Sequence, residues 1–410
     1  MSQKVPLHGL IFAAATGVAI PILFYGRALL AIAMAVALLA LLAGPAPRRL
    51  VARAQGLVTT PVGVLLILTF LAWLPNAFHS LEPLNSATTV TRTFALLFLA
   101  YLVWYGLQEN ADLRRICRRF LIASMLITVC FALVSKLGHP GVYWLIRQEP
   151  WQDTPMLTEL KPVAALAPFL VPLALLVGRE DPRSWRWAAW ALSAGLMFVI
   201  FVAESRSSLA GMLGGAAFIG AALACRARMR NALVVAAGLV VGIVATVIWL
   251  KASRHIEASM GEWFFPLWLI DFPRQAIWQF VLEQFARHPW IGLGVNTINL
   301  VPGADAVIPA ADGLHLVPSH PHNWVVELLA ETGVVGFGAY LALVGVTLWT
   351  VMRRYLRSGH PGHLAVIAMI GGFLTSGLFN FSFWSSWWQA SVLLFGAMAL
   401  ASTASSSESV

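Results

Sequence analysis

The sequence predicts an all-α polytopic membrane protein. Three observations predict it. Hydrophobic residues make up 59% of the chain against 11% charged, a balance that leaves too little polar surface for an ordinary soluble globule. Mean hydropathy is +0.78. The apolar residues also fall in runs close to the roughly 20 residues that a spanning helix needs.

Taken in order, those runs predict about 12 transmembrane helices, at 8–25, 28–44, 57–75, 86–107, 116–137, 162–178, 186–203, 207–225, 232–250, 323–351, 363–381 and 384–402. The first is read as a retained helix, because no small-residue cleavage site follows it. The second and sixth are short for a span. Pro21, Pro168 and Pro172 lie inside runs and predict kinks that neighbouring helices tolerate. The chain thus divides into nine spans over 1–250, a long extramembrane segment over 251–321, three spans over 322–402, and a Ser-rich tail at 403–410 expected to be disordered.

Charge orients the spans. The sequence pI is near 10.0, which on its own would suggest a nucleic-acid partner, but the arginines sit between apolar runs. Arg48, Arg49 and Arg53, then Arg114, Arg115, Arg118 and Arg119, Arg179, Arg183 and Arg186, Arg226, Arg228 and Arg230, and Arg353, Arg354 and Arg357 all fall on one side if the N-terminus is cytoplasmic. That is the positive-inside arrangement, and no nucleic acid is implied. The other side holds scattered basic residues, the loop 138–161 and the long segment 251–321. Within that segment Asp271 is placed to cap a helix with Pro273 in its first turn, running to about Arg287 and stopped by Pro289. The aromatic residues Trp263, Phe264, Phe265, Trp268, Phe272, Trp278 and Phe280 suit a segment lying at the membrane interface. Cys117, Cys130 and Cys225 have no metal or redox spacing.

Ionisable side chains beside hydrocarbon are expensive and read as functional by default. The strongest such group is Ser319-His320-Pro321-His322-Asn323-Trp324, which continues through Glu327 and Glu331 into Thr332-Gly333-Val334-Val335-Gly336. A neutral imidazole can take a proton from a hydroxyl near pH 7. The rival reading, metal binding by the pair, lacks a third ligand nearer than His315. Asn323 is placed as a helix N-cap, and Glu327 and Glu331 are placed to orient a histidine or satisfy a buried arginine. Arg206, in Glu204-Ser205-Arg206-Ser207-Ser208, opens a span where its fork fits phosphate or carboxylate, or where it snorkels or pairs with Glu204. Arg274 lies in the first turn of the 273–287 helix, where free N–H groups favour an anion, and pairing with Asp271 is its alternative. Arg287, Arg254, Arg147, Lys161 and Lys251 extend a basic outer patch or contact lipid headgroups singly. No Asp-x-Asp and no phosphate loop of the P-loop type is present, which argues against transfer from a nucleotide-activated donor.

The His-Asn segment, the Arg274-Gln275-Ala276-Ile277-Trp278 and Arg287-His288-Pro289-Trp290-Ile291-Gly292-Leu293-Gly294 elements, and the Ser205-Arg206 pair, in this order, resemble the O-antigen ligase and polymerase superfamily. The resemblance covers about the C-terminal half of the chain. It implies a GT-C-like helical bundle in the bacterial inner membrane with its active site facing the periplasm. It implies an O-antigen ligase that moves a glycan from undecaprenyl diphosphate to a hydroxyl of the lipid A core oligosaccharide, inverting the anomeric centre, with no metal and no cofactor. It also makes His322 the base, since the family's strongest motif is a His directly before Asn, and puts Arg206 and Arg274 on the diphosphate. His320, Asn323, Arg287, Arg147, Lys161 and Glu327 are expected around the substrates. The expected partners are the lipid-linked glycan, the lipid A core and membrane lipids. The chain end soon after the last span leans toward ligase. The same motifs serve O-antigen polymerases and protein O-oligosaccharyltransferases, so the acceptor stays open between them. A lipid-linked glycan transporter is the reading from another class; charge gathered at one membrane face rather than at midplane argues against it.

Overall fold

The computed structural model describes residues 5–44, 47–108, 110–139, 141–147, 160–229, 231, 271–308 and 313–406. Its elements are α1 (Leu7–Ile22), α2 (Arg27–Leu42), α3 (Pro47–Val58), α4 (Pro61–His79), α5 (Pro83–Gln108), α6 (Ala111–Leu133), α7 (Gly141–Arg147), α8 (Lys161–Ala165), α9 (Ala167–Leu176), α10 (Arg183–Val202), α11 (Arg206–Arg226), α12 (Phe272–Arg287), α13 (Trp324–Ser358), α14 (Pro361–Ser376) and α15 (Ser386–Ser402). No strand occurs among the described residues, only an isolated bridge between Val307 and His315. The helices α4, α5, α10, α11 and α13, together with α6 and its continuation to Gly138, are long and apolar enough to cross a membrane; shorter apolar helices accompany them.

Capping sets the starts. Thr60 accepts from the Gly63 N–H ahead of Pro61, Asn110 accepts from Asp112 and Leu113, and His360 accepts from Gly362 ahead of Pro361; in each case a side-chain oxygen or ring nitrogen supplies a partner that the first helical turn lacks. The cap at Thr60 also moves a boundary. The run expected at 57–75 begins only at Pro61, because Pro47–Val58 forms a separate helix, α3, whose arginines made it read as a loop. The run at 162–178 is broken into α8 and α9 at Leu166, just ahead of Pro168. The span at 232–250 and the first part of the long segment, residues 251–270, including Lys251, Arg254, Trp263, Phe264, Phe265 and Trp268, lie outside the described residues.

The core sits between α9, α14 and α15. Phe169, Leu170, Leu173, Trp388 and Phe395 are fully buried there, with the Phe169 and Trp388 rings 4.7 Å apart. Around it the helix ends sort by charge. Buried Arg118 at the start of α6 pairs with buried Asp181 ahead of α10, and Arg226 at the end of α11 reaches the Tyr355 carbonyl near the end of α13. The basic runs 114–119, 179–186, 226–228 and 353–357 therefore collect at one end of the bundle. The His320-Pro321-His322 segment, the start of α11 and the end of α14 occupy the other.

One irregularity builds that second end. Continuous hydropathy predicts one span over 323–351, yet α13 is interrupted at Gly333, at φ 62 and ψ −175, backbone that only glycine adopts without strain. The interruption frees main-chain groups, and the segment 289–294 takes them. Leu293 and Gly294 donate to the carbonyls of Ala330 and Glu331 at 2.9 and 3.1 Å, while Val334 and Val335 donate to those of Pro289 and Trp290 at 2.8 and 3.2 Å. The two backbones lie so close that a Cβ on Gly333 would be 2.3 Å from the Trp290 carbonyl carbon, and one on Gly292 would be 2.3 Å from that of Glu331. A helix break inside a span is tolerable only if its orphaned groups find partners in the protein, and this docking supplies them.

Candidate active site

Three elements position the imidazoles. Asn323 caps α13, its side-chain oxygen accepting from the Val325 N–H at 2.9 Å. Trp324 then pins the helix start to α14, its backbone N–H donating to the Gly377 carbonyl at 3.0 Å and its indole to that of Leu374 at 2.9 Å. From the other side Trp278 of α12 donates to the Pro321 carbonyl at 2.9 Å. Asp271 caps α12 by accepting from the Arg274 N–H. Arg274 lies four residues before Trp278, on the same helix face. That spacing places its guanidinium beside the His320-Pro321-His322 segment.

The two rings are in contact, tilted at 55° with centroids 4.2 Å apart. His320 Nδ1 is hydrogen-bonded to Ser319 Oγ at 2.8 Å. His320 Nε2 and His322 Nδ1 are both buried and have no hydrogen-bond partner among the described residues. His322 is also held at φ 56, a left-handed conformation that costs a non-glycine residue on the order of 1–3 kcal/mol. Strain and unmet hydrogen bonds together at a few residues mark a site arranged for something other than stability.

The surroundings are cationic. Burial, then the positive charges of Arg274 and Lys161, push the His322 imidazole down to about 4. Burial and the neighbouring His322 push His320 down to about 3. Both rings are therefore neutral near pH 7, and His322 lies in the field of two cations delivered by the starts of α8 and α12.

Not every expected residue joins this group. Arg274 is held by Asp271, Nη1 to Oδ2 at 2.8 Å, so the alternative pairing is present at the same time as its approach to His322. Arg206 is exposed at the start of α11 and makes no ion pair with Glu204 or any other described residue. It is tied to the same end of the bundle indirectly, since Asn380, just beyond α14, donates to Ser207 at 2.9 Å. Arg287 is not part of the cluster: it lies at the far end of α12, about 20 Å from Arg274 at 1.5 Å per residue. The Arg147 side chain lies outside the described residues. Asn323 spends its oxygen on the cap. His315 is bound to the Asp305 carbonyl, and no three His, Cys, Asp or Glu side chains converge as a metal ligand set among the described residues.

The glutamates correct the sequence reading most clearly. Neither orients a histidine or an arginine. Glu327 is buried and accepts from the Ser382 hydroxyl and the Phe383 N–H, which turns it away from the imidazoles. Glu331, equally buried, accepts from the backbone N–H groups of Asn296, Thr297 and Ile298 at 2.7, 2.9 and 3.0 Å and from the Trp384 indole. It fastens the loop after the Gly292 docking to the α14–α15 connection. An acidic residue inside an apolar run must have partners; that signal was in the sequence, but the partners lie dozens of residues away.

An α-helical chain with several span-length apolar helices, carrying a strained, cation-flanked imidazole pair at one end of the bundle, is a multi-pass membrane protein. Residues 190–341, from α10 through the Gly333 break, match the family model described as O-antigen ligase. A protein of Rickettsia typhi named "Putative polysaccharide ligase" is 20% identical over 326 residues, covering 78% of this chain and 76% of the relative. Proteins of the same printed name from Rickettsia prowazekii, 20% over 326 residues with 78% and 76% covered, and Rickettsia felis, 22% over 339 residues with 79% and 76% covered, are similar along comparable stretches. The chain is thus similar to O-antigen ligases over residues 190–341 and to polysaccharide ligases of this printed name along most of its length.

Proposed function

We propose that this protein is an O-antigen ligase that transfers a glycan from undecaprenyl diphosphate to a hydroxyl of the lipid A core oligosaccharide, at the periplasmic face of the bacterial inner membrane. The observation that carries the reading is the unpartnered His322 Nδ1 beside Arg274 and Lys161. The acceptor oxygen attacks the anomeric carbon from the side opposite the diphosphate. Its proton passes to His322, the bond between the anomeric carbon and the diphosphate oxygen breaks, and undecaprenyl diphosphate leaves with the electron pair. Arg274, Lys161 and Arg206 hold the donor and offset the charge that develops on it.

Burial and, after it, two cations hold down the proton affinity of His322, and those cations are the groups a diphosphate would neutralise. Donor binding therefore raises the proton affinity of His322 when the base is needed. Arg274 reaches the donor by exchanging its Asp271 partner, while Asp271 continues to cap α12 through its other oxygen.

The test is transfer by the purified protein, given lipid A core and an undecaprenyl-diphosphate glycan, without nucleotide and in excess chelator. Conjugate should form. A requirement for nucleotide, or for a divalent ion that chelation removes, would sink the mechanism. Placement is tested by single cysteines at the exposed positions Ala306 and Ser358, with Cys117, Cys130 and Cys225 removed. A membrane-impermeant thiol reagent applied from the periplasm should label the first and spare the second; the reverse pattern would put His322 in the cytoplasm.

A further inference from the structure

In the half of the bundle away from the imidazoles, α9, α10 and α11 enclose a crevice of about 510 Å³, within the roughly 300–1,000 Å³ typical of small-molecule sites. Its wall is apolar, built by residues such as Pro172, Leu176, Ala189, Met212 and Ile219. Charge enters at one end only, from Arg179 just beyond α9 and Arg186 in the first turn of α10. Trp190, one turn further along α10, completes that rim and is 58% exposed, with Trp187 beside it 62% exposed. Exposed indoles next to arginines fit the depth at which hydrocarbon gives way to headgroups.

Both arginines are exposed, and neither guanidinium makes an ion pair or hydrogen bond with a described residue. The neighbouring carboxylate of Asp181 is already taken by Arg118. From Arg183 to Val202, α10 rises about 29 Å at 1.5 Å per residue, close to the ~30 Å of a hydrocarbon core. The charged rim is thus a membrane's thickness from Arg206 and from the candidate active site.

We propose that this crevice binds one anionic phospholipid, with an acyl chain along the α9–α11 wall and the phosphate between Arg179 and Arg186. Two guanidinium forks match phosphate oxygens, and the apolar wall below them matches a hydrocarbon chain. A zwitterionic lipid would add an ammonium to a rim that is already positive.

The experiment is native mass spectrometry of the full chain released from micelles containing phosphatidylglycerol and phosphatidylcholine at equal concentration. One retained phosphatidylglycerol is expected, preferred by about 10-fold or more, the scale that two basic side chains at a lipid surface supply. Arg179→Gln with Arg186→Gln should abolish the preference, and Arg353→Gln with Arg357→Gln, on the same basic end, should leave it. Ala216→Trp, which fills the crevice from an exposed lining position, should reduce retention of both lipids. No preference in the wild type, equal loss in the control pair, or undisturbed retention in Ala216→Trp would overturn the proposal. So would displacement of phosphatidylglycerol from this crevice by undecaprenyl phosphate at equal concentration, which would make it part of the donor path.

Discussion

His320 and His322 stand just ahead of the helix that carries Glu327 and Glu331, yet the two pairs have opposite environments. The glutamates are fully buried and each oxygen has its donors. The histidines are partly open, one of them on strained backbone, and each keeps a ring nitrogen without a partner among the described residues. Hydrogen-bond saturation separates them: a satisfied buried carboxyl group holds structure together, while a ring nitrogen without a partner beside two cations is available for substrate. Sequence reading treats all four as ionisable groups near a membrane and cannot make that distinction.

The largest expected effect is on the structural side. Glu331→Ala leaves three buried donors and one half-buried donor without an acceptor, each buried one costing about 1–3 kcal/mol, a total comparable with the roughly 5–15 kcal/mol that holds a typical domain folded. The purified variant should be scarce and melt far below the wild type in thermal-shift assays, and Glu331→Gln should recover part of the loss. A normal melting temperature in Glu331→Ala would erase the contrast. Next in size is Gly333→Ala, where φ 62 and the 2.3 Å approach to Trp290 together cost roughly 3 kcal/mol; thermal melting should again report it.

These two predictions concern features that the sequence hid, and the reason is distance. The cap of α12 was legible because Asp271, Pro273 and Arg274 are neighbours, and so was the Asn323 cap. Most span-length helices were legible because hydropathy is a local sum. The break at Gly333 was not, since apolar residues run through it and its cause is the docking of residues 289–294. The roles of Glu327 and Glu331 depended on Ser382, Phe383, Trp384 and Asn296, which only folding brings near. Arg287 shows the converse error: it belongs to the right helix but lies at the wrong end of it. Lys161 arrives beside His322 through α8, a placement the basic patch suggested without locating.

A middle-sized effect distinguishes the two uses of Arg274. Arg274→Ala should weaken donor binding by about 10-fold or more, since hydrogen bonds to charged groups contribute about 1.5–3 kcal/mol. Asp271→Asn keeps a capping oxygen and should leave donor affinity at or above the wild-type value. Equal losses in both variants would make the Arg274–Asp271 pair purely structural.

The smallest effect is a pH dependence of stability. Burial holds both histidines well below the ordinary 6.5, so below that pH the unfolded chain binds protons that the folded chain refuses. Melting temperature should fall as pH drops from about 6.5 toward 4, where His322 begins to titrate in the folded state. The slope should flatten in a His320→Gln, His322→Gln double variant. An unchanged slope would mean that the rings are not held neutral by the fold.

The most direct test of the central claim, that His322 is the unsatisfied base of a cationic donor site, is single-turnover transfer by His322→Ala with donor affinity and melting temperature measured on the same preparation. The account predicts a rate lower by about 100-fold or more, the usual contribution of a general base, with donor affinity and melting temperature close to wild type. Full transfer by His322→Ala, particularly alongside an inactive His320→Ala, would contradict it and pass the role to the other ring.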